Sequence, residues 1–98
     1  MIPALKVLIT GYEAAPFFKR GGLGDVLGSL PKALREINVD ARVVIPYYQD
    51  IEKKYKFPKI GGYSIVFGED IEQIGVYEGG HVYFLSNRKY LSSINTRG

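Results

Sequence analysis

Side chains that could do chemistry are concentrated in one short stretch, EAAPFFKRGGLGDV, at residues 13–26. In it Lys19 is followed by an adjacent glycine pair, Gly21 and Gly22, and then by the apolar pattern of a helix. Glycines let backbone amides approach a ligand closely, and the start of a helix presents N–H groups and a partial positive charge to an anion. A lysine adds a full charge on a flexible stem. The stretch therefore predicts a phosphate-binding site, which we call the phosphate seat.

Asp25, in the first turn of the predicted helix, adds a carboxylate that could accept hydrogen bonds from sugar hydroxyls. A ligand that suits the whole stretch thus carries both phosphate and hydroxyl groups. Each residue also has a plainer interpretation, with the glycines as a turn, Lys19 as a solvated side chain and Asp25 as a carboxylate favouring the helix dipole. Glu13, at the end of a strand, is more often a surface or loop-anchoring group than a catalytic one. His81, the single histidine, stands beside a turn, where histidines are usually exposed.

The elements that would position this stretch are a strand, a helix and a second strand. Residues 4–10, ALKVLIT, form a nearly continuous apolar run, typical of a strand covered on both faces in a parallel sheet. From Leu23 to Ile37 apolar residues recur every three or four positions, which predicts an amphipathic helix. Residues 41–46, ARVVIP, predict a second buried strand. Such a βαβ unit places the stretch at the carboxyl edge of its sheet, where open α/β folds bind ligands.

Two residues mark irregularities of this helix. Pro31 lacks an N–H and clashes with the preceding turn, which predicts a kink or a first segment ending near Ser29. Asn38 is suited to a left-handed cap after the helix.

The later residues predict a meander of short strands joined by glycine turns. Its apolar runs lie at residues 63–67, 71–77 and 81–85.

Composition narrows the classes of protein that the chain can belong to. Its 98 residues, 46% of them hydrophobic, suffice for one domain or part of one. With no cysteine and one histidine, thiolate and histidine-built metal sites are excluded, and we expect neither a metal nor a cofactor. No apolar run is long enough to span a membrane, and the N-terminus does not resemble a signal peptide, so we expect a soluble, cytoplasmic protein.

The formal net charge of +3 comes mainly from EKKYKFPK at residues 52–59. This run, with its glutamate and terminal proline, favours a solvated loop or a short helix over a nucleic-acid patch, and we expect no nucleic-acid partner.

A redox dinucleotide site is the nearest alternative for the glycines, because Gly22, Gly24 and Gly28 have a related spacing. Those glycines come more than ten residues after the strand, and no acidic residue directly follows the second strand, so the context opposes it.

The segments KVLIT, EAAPFFKRGGLGDVLGSLPKAL and ARVVIPYY resemble, in this order, the opening of glycogen and starch synthases, retaining glucosyltransferases with a nucleotide-glucose donor. The similarity is dense over residues 6–48 and rests on the K-x-G-G-L motif followed by D-V. Later, GVYEGGHVYFLSNRKYL resembles a hairpin segment of the same family. The resemblance implies an α/β, Rossmann-like fold. It further implies that residues 1–98 are an incomplete N-terminal domain of a two-domain glycosyltransferase, with a hairpin or meander in the second half and the second nucleotide-binding domain absent.

The resemblance also implies roles for individual residues. Lys19 would bind the phosphates of the donor, Gly21 and Gly22 would lie against the donor and the growing end of the glucan, and Asp25 would reach the glucose. Glu13 would lie near the acceptor side of the cleft. No metal or cofactor is implied, because positive side chains and amides take up the charge of the departing diphosphate. The arginine, lysine and glutamate that the family supplies from its second domain are missing, so we assign no catalytic residue in this chain.

These expectations lead to one functional hypothesis and one alternative. The first is a fragment, or one half of a split enzyme, of a glycogen or starch synthase that transfers glucose from ADP-glucose or UDP-glucose to the non-reducing end of an α-1,4-glucan. Its partners would be the nucleotide-glucose donor, the α-glucan acceptor and the missing second half. The alternative is a non-catalytic sugar-nucleotide-binding or regulatory module. The few strands and the polar end at residues 88–98 leave the predicted sheet unfinished, which favours the first.

Overall fold

The computed structural model describes residues 5–19 and 21–87, and the chain divides into two compact units, Met1–Ile45 and Pro46–Gly98. The first unit contains strand β1 (Leu5–Thr10), helix α1 (Gly22–Glu36) and nearly all of strand β2 (Val39–Pro46). β1 and β2 pair in parallel, from Leu5 opposite Val39 to Thr10 opposite Val44. The predicted strand, helix and parallel strand are therefore confirmed, with β2 beginning two residues earlier than expected.

Helix α1 runs without interruption through Pro31, so the prediction of a first segment ending near Ser29 is wrong, while a kink at Pro31 stays a prediction. Leu27 and Pro31 lie on the buried side of the helix. Proline removes one backbone hydrogen bond, and we attribute the continuity to the packing of the turns on either side. The left-handed cap is confirmed, because Asn38 has a φ of 65° and its N–H donates to the carbonyl oxygen of Arg35 at 3.1 Å.

The expectation that β1 is covered on both faces is also wrong for the described residues. Val7 and Ile9 are partly buried on the face over which α1 lies, since Leu27 is seated directly against Gly11 on that face. Leu8, on the opposite face, is 58% exposed. Successive side chains of a strand point to opposite faces. An apolar run predicts that both faces of a strand are buried. In β1 the described residues bury only the face toward α1.

The second unit is a short helix followed by three antiparallel strands. Helix α2 (Gln49–Lys54) precedes β3 (Lys59–Phe67), β4 (Asp70–Gly79) and β5 (Val82–Ser86), and β4 pairs with both β3 and β5. The predicted meander is confirmed. The basic run at residues 52–59, predicted as a loop or a short helix, begins in the last turn of α2 and continues without regular structure from Tyr55 to Pro58. Gly68 and Gly80 form the turns with φ of 67° and 65°, a region that favours glycine. The prediction for residues 88–98 lies outside the described residues.

Aromatic side chains form the core of this second unit. Tyr47 packs against Tyr77 and Phe84, with ring centroids 4.7 and 5.3 Å apart, and Phe57 stacks on Phe84 at 4.8 Å. The buried Tyr47 hydroxyl donates to the carbonyl oxygen of Tyr55 at 2.8 Å, so its polar atom is satisfied. Along the described residues, no helix has the length and apolar character needed to cross a membrane.

Candidate functional site

The loop between β1 and α1 is closed on itself and tied to the helix. The N–H of Ala14 donates to the carbonyl oxygen of Phe18 at 2.9 Å, and the N–H of Phe18 donates to that of Ala14 at 3.1 Å. The N–H of Ala15 then donates to the carbonyl oxygen of Gly24 in the first turn of α1, at 2.9 Å. Because Lys19 directly follows this closed turn, its backbone is held beside the start of the helix.

Glu13 caps the N-terminus of α1 from outside the helix. Its Oε1 accepts hydrogen bonds from the N–H of Gly21 at 3.2 Å and from the N–H of Gly24 at 2.6 Å. These groups belong to the N-cap residue and to the third residue of the helix. The N–H of Gly24 is shared, because it also donates to the carbonyl oxygen of Gly21 at 3.2 Å. Gly21 has no side chain to cap the helix itself, so Glu13 supplies the oxygen that a serine or aspartate at the N-cap would supply. The loop-anchoring interpretation of Glu13 is confirmed.

This cap changes the anion seat that the sequence predicts. Two of the amides at the helix start are occupied by a carboxylate, and its negative charge opposes the positive end of the helix dipole. The amides of Gly22 and Leu23, which begin the helix and have no intrahelical acceptor, face no such carboxylate bond. The amide contribution to an anion site is therefore smaller than expected from the sequence, and the full charge of Lys19 carries more of it.

Lys19 and Asp25 form an ion pair, with Nζ 3.0 Å from Oδ1. The two side chains are 48% and 59% exposed, so the pair is solvated and contributes about 0–1 kcal/mol to stability. A pair this weak is opened easily by a competing anion. The geometry thus holds Lys19 in place at the helix start while leaving its charge available to a ligand, and it leaves Asp25 beside that ligand.

The two glycines of the predicted seat are not required by the backbone. Gly21 has a φ of −160°, an extended conformation that any residue adopts, and a Cβ on Gly22 would meet no atom within 4 Å. The backbone conformation therefore does not require glycine at either position. The space at Gly22 is open, and a Cβ on Gly21 would make only an ordinary contact with Oε1 of Glu13 at 3.9 Å, so the role of both glycines in binding stays a prediction.

Two other glycines, which the sequence suggested only as part of a dinucleotide spacing, hold the loop against the helix. A Cβ on Gly24 would lie 2.9 Å from Cγ of Lys19, and a Cβ on Gly28 would lie 2.7 Å from the carbonyl oxygen of Ala15. Both distances are shorter than real Cβ contacts, so any side chain would push the loop outward. The signal that could have found them is their four-residue spacing, which puts both on one side of the helix.

The structure brings all five predicted site residues into one place, the loop and first turn of α1. Glu13 contacts Gly21, Lys19 contacts Asp25, and Gly22 begins the helix between them. Within residues 5–19 and 21–87, no group of three histidine, cysteine, aspartate or glutamate side chains is arranged to hold a metal ion. The arrangement is a solvated cation beside two carboxylates and a helix start, which suits a polar anionic ligand.

Comparison with known proteins identifies the family. Residues 6–96 match the starch synthase catalytic domain. The chain belongs to this family. Among its relatives, the glycogen synthases of Lactobacillus acidophilus and Clostridium acetobutylicum are 42% and 41% identical over 92 residues, which is 88% of this chain and 19% of each relative. The chain therefore spans about a fifth of the length of these starch synthase family members.

A solved structure gives the same result. The catalytic domain of starch synthase IV from Arabidopsis thaliana, in a complex with ADP and acarbose, matches 89% of this chain with a TM-score of 0.59 and 26% sequence identity. The match covers 19% of that chain. The α/β fold of this starch synthase family member is thus shared with an enzyme of known structure.

Removing the carboxylate of Glu13 should loosen the start of α1. Glu13→Ala removes the carboxylate acceptor of both amides and leaves the Gly24 N–H with the carbonyl oxygen of Gly21 alone, so we expect the free energy of unfolding to fall by about 0.5–2 kcal/mol. Glu13→Gln keeps an oxygen in the same place and should lose less than about 1 kcal/mol, the part due to charge. Urea denaturation of the chain followed by circular dichroism measures both. Equal stability of the Ala variant and the original chain would contradict the capping role.

Proposed function

We propose that this chain forms part of a glycogen or starch synthase that transfers glucose from a nucleotide-glucose donor to the non-reducing end of an α-1,4-glucan. The observation that carries the proposal is the position of Lys19 at the start of α1, in the K-x-G-G-L motif, where it pairs with an exposed Asp25. Family membership supports the same conclusion. Because the chain spans 19% of its relatives, the activity belongs to a longer protein.

In this reaction the bond between C1 of glucose and the diphosphate oxygen breaks, and a bond forms between C1 and a hydroxyl oxygen of the glucan. The hydroxyl proton is lost, and the nucleoside diphosphate leaves with additional negative charge. Lys19 stabilises that charge when the diphosphate replaces Asp25 as its partner. A preorganised cation at a departing group lowers the barrier most when it faces charge that develops in the transition state. Lys19 is in this sense a substrate-binding residue that assists the departure.

Asp25 and the glycines would serve the sugar side of the same site. Once Lys19 turns to the diphosphate, the Asp25 carboxylate becomes available to accept hydrogen bonds from glucose hydroxyls. Gly21 and Gly22 leave the space in which the donor and the end of the glucan would lie. Glu13 holds the loop, and we propose that its carboxylate also lines the acceptor side. The ADP bound to the Arabidopsis relative favours ADP-glucose over UDP-glucose as the donor.

The test uses a chimera in which this chain replaces the matching segment of the Lactobacillus acidophilus glycogen synthase; this protein is called the chimera below. We expect the chimera to incorporate labelled glucose from ADP-glucose into glycogen, and the 98-residue chain alone to give no incorporation above a no-protein control. Placement of two substrates and stabilisation of the leaving group both need groups that the chain lacks. A folded chimera that binds ADP-glucose without transferring glucose would favour the non-catalytic binding module instead.

The same proposal includes a cytoplasmic location. A chain without cysteine is compatible with a reducing compartment, where nucleotide sugars and glucan would both be available to it.

A further inference from the structure

Helix α1 has two apolar stripes, and only one of them is buried. Gly24, Leu27 and Pro31 form the buried stripe. The second, which we call the outer stripe, consists of large residues that are 51%, 49%, 42% and 71% exposed: Leu23, Val26, Leu30 and Ile37. Exposed Ala33 continues the same spacing of three and four residues. Single exposed apolar residues are ordinary on a protein surface, but three large ones in register along one helix, with a fourth at its C-cap Ile37, form a packing face.

The outer stripe is separate from the polar side of the helix. At about 100° per residue, it occupies the sector next to the buried stripe, so that apolar residues cover about half of the circumference. The polar residues share the remaining sector: Asp25, Ser29, Lys32 and Glu36. A helix packed against a single sheet needs one apolar stripe only. A second stripe of this length is typical of a helix with a second packed neighbour.

Something apolar must therefore cover this side of the first unit, and the relatives indicate what it is. They are about five times as long as this chain, which covers 19% of each. The outer stripe contains no charged residue, so an occupant gains from burial rather than from charge pairing. Leu5 and Leu8 on β1 are also exposed, so uncovered apolar surface is found on the strand as well as on the helix. We propose that the outer stripe is an interface within one protein, covered by apolar residues of the starch synthase catalytic domain that lie outside these 98 residues.

Cysteine labelling in the chimera tests this inference without reference to catalysis. The chain has no cysteine, so Leu30→Cys introduces a single thiol into the outer stripe, and Lys32→Cys places a matched thiol on the polar side of the same helix. Reaction with a maleimide is followed by mass spectrometry of the peptide that contains the new residue. In the chimera we expect Leu30→Cys to react at least about tenfold more slowly than Lys32→Cys, because a covered side chain reacts only after local opening. In the 98-residue chain alone, the two should react at similar rates.

Equal rates in a chimera that circular dichroism and a cooperative thermal transition show to be folded would overturn the inference. The 98-residue chain alone provides a second check. If Leu30→Cys reacts more slowly as the concentration of the chain rises, and sedimentation shows a dimer, the stripe is covered by a second copy of the chain and the inference is overturned. Val26→Asp with Leu30→Asp provides an independent measurement. This pair should lower the melting temperature of the chimera by more than about 10 °C and that of the chain by less than about 2 °C, since only the first would bury the new charges. Equal shifts in the two proteins would count against the interface.

Discussion

Lys19→Ala in the chimera should lower kcat/KM for glucose transfer by about 30- to 1,000-fold while leaving the melting temperature nearly unchanged. The loss corresponds to about 2–4 kcal/mol of transition-state stabilisation, the range found when one preorganised group facing developing charge is removed. Stability should change little, because the pair that Lys19 makes with Asp25 is exposed on both sides. Initial rates with ADP-glucose and thermal unfolding of the same preparation measure both quantities.

Lys32→Ala is the matched control for this variant. It also removes one exposed lysine of the first unit, but Lys32 lies about three turns along α1, away from the loop. We expect its kcat/KM to stay within about twofold of the original, since an exposed substitution away from the site has little effect. A large drop in melting temperature for Lys19→Ala, with unchanged turnover per folded molecule, would make Lys19 a structural residue and would contradict the proposed site.

Gly22→Val should reduce the affinity for the donor by at least about tenfold without destabilising the chain. A Cβ at Gly22 meets nothing within 4 Å, and the residue lies in the first turn of a regular helix, where valine is tolerated at least as well as glycine. The added carbons would instead fill the space in front of the helix start that the donor would use. Calorimetry with ADP-glucose on the chimera and urea denaturation of the chain give the two results.

Gly24→Ala provides the contrast. A methyl group there would lie 2.9 Å from Cγ of Lys19 and 3.1 Å from Oε1 of Glu13, so the loop must move and the chain should lose stability together with donor affinity. Unchanged donor affinity in Gly22→Val would mean that the space at the helix start is not part of the donor site. Equal destabilisation of both variants would mean that the loop is more sensitive to volume than the structure indicates.

Local patterns were sufficient to predict the elements and to predict that the candidate site residues lie together. The spacing of apolar residues predicted β1, α1 and β2, glycines predicted the turns of the meander, and Asn38 predicted the left-handed cap. All of these depend on residues close together in sequence. The K-x-G-G-L motif likewise brought Lys19, Gly21, Gly22 and Asp25 together because they are neighbours in the chain.

The remaining features depend on contacts that a local pattern does not encode. Glu13 bonds to amides eight and eleven residues away, a geometry that exists only after the loop has folded over the helix. Its carboxylate reduces the anion-binding capacity that the helix start has in isolation. The continuity of α1 through Pro31 depends on burial of its side, and the exposure of Leu8 depends on how much of the domain is present. In each case the local propensity of the residues allowed more than one conformation or degree of burial, and tertiary packing determined which one is observed.

The binding of ADP and of adenosine to the chimera, each measured by calorimetry with Lys19 and with Lys19→Ala, tests most directly whether the loop is a phosphate seat. The two ligands differ by the diphosphate, so the comparison isolates the contact between that group and Lys19. The proposed role predicts that Lys19→Ala weakens ADP binding by at least about tenfold and changes adenosine binding by less than about twofold. Equal losses for the two ligands, or no loss for ADP, would contradict it.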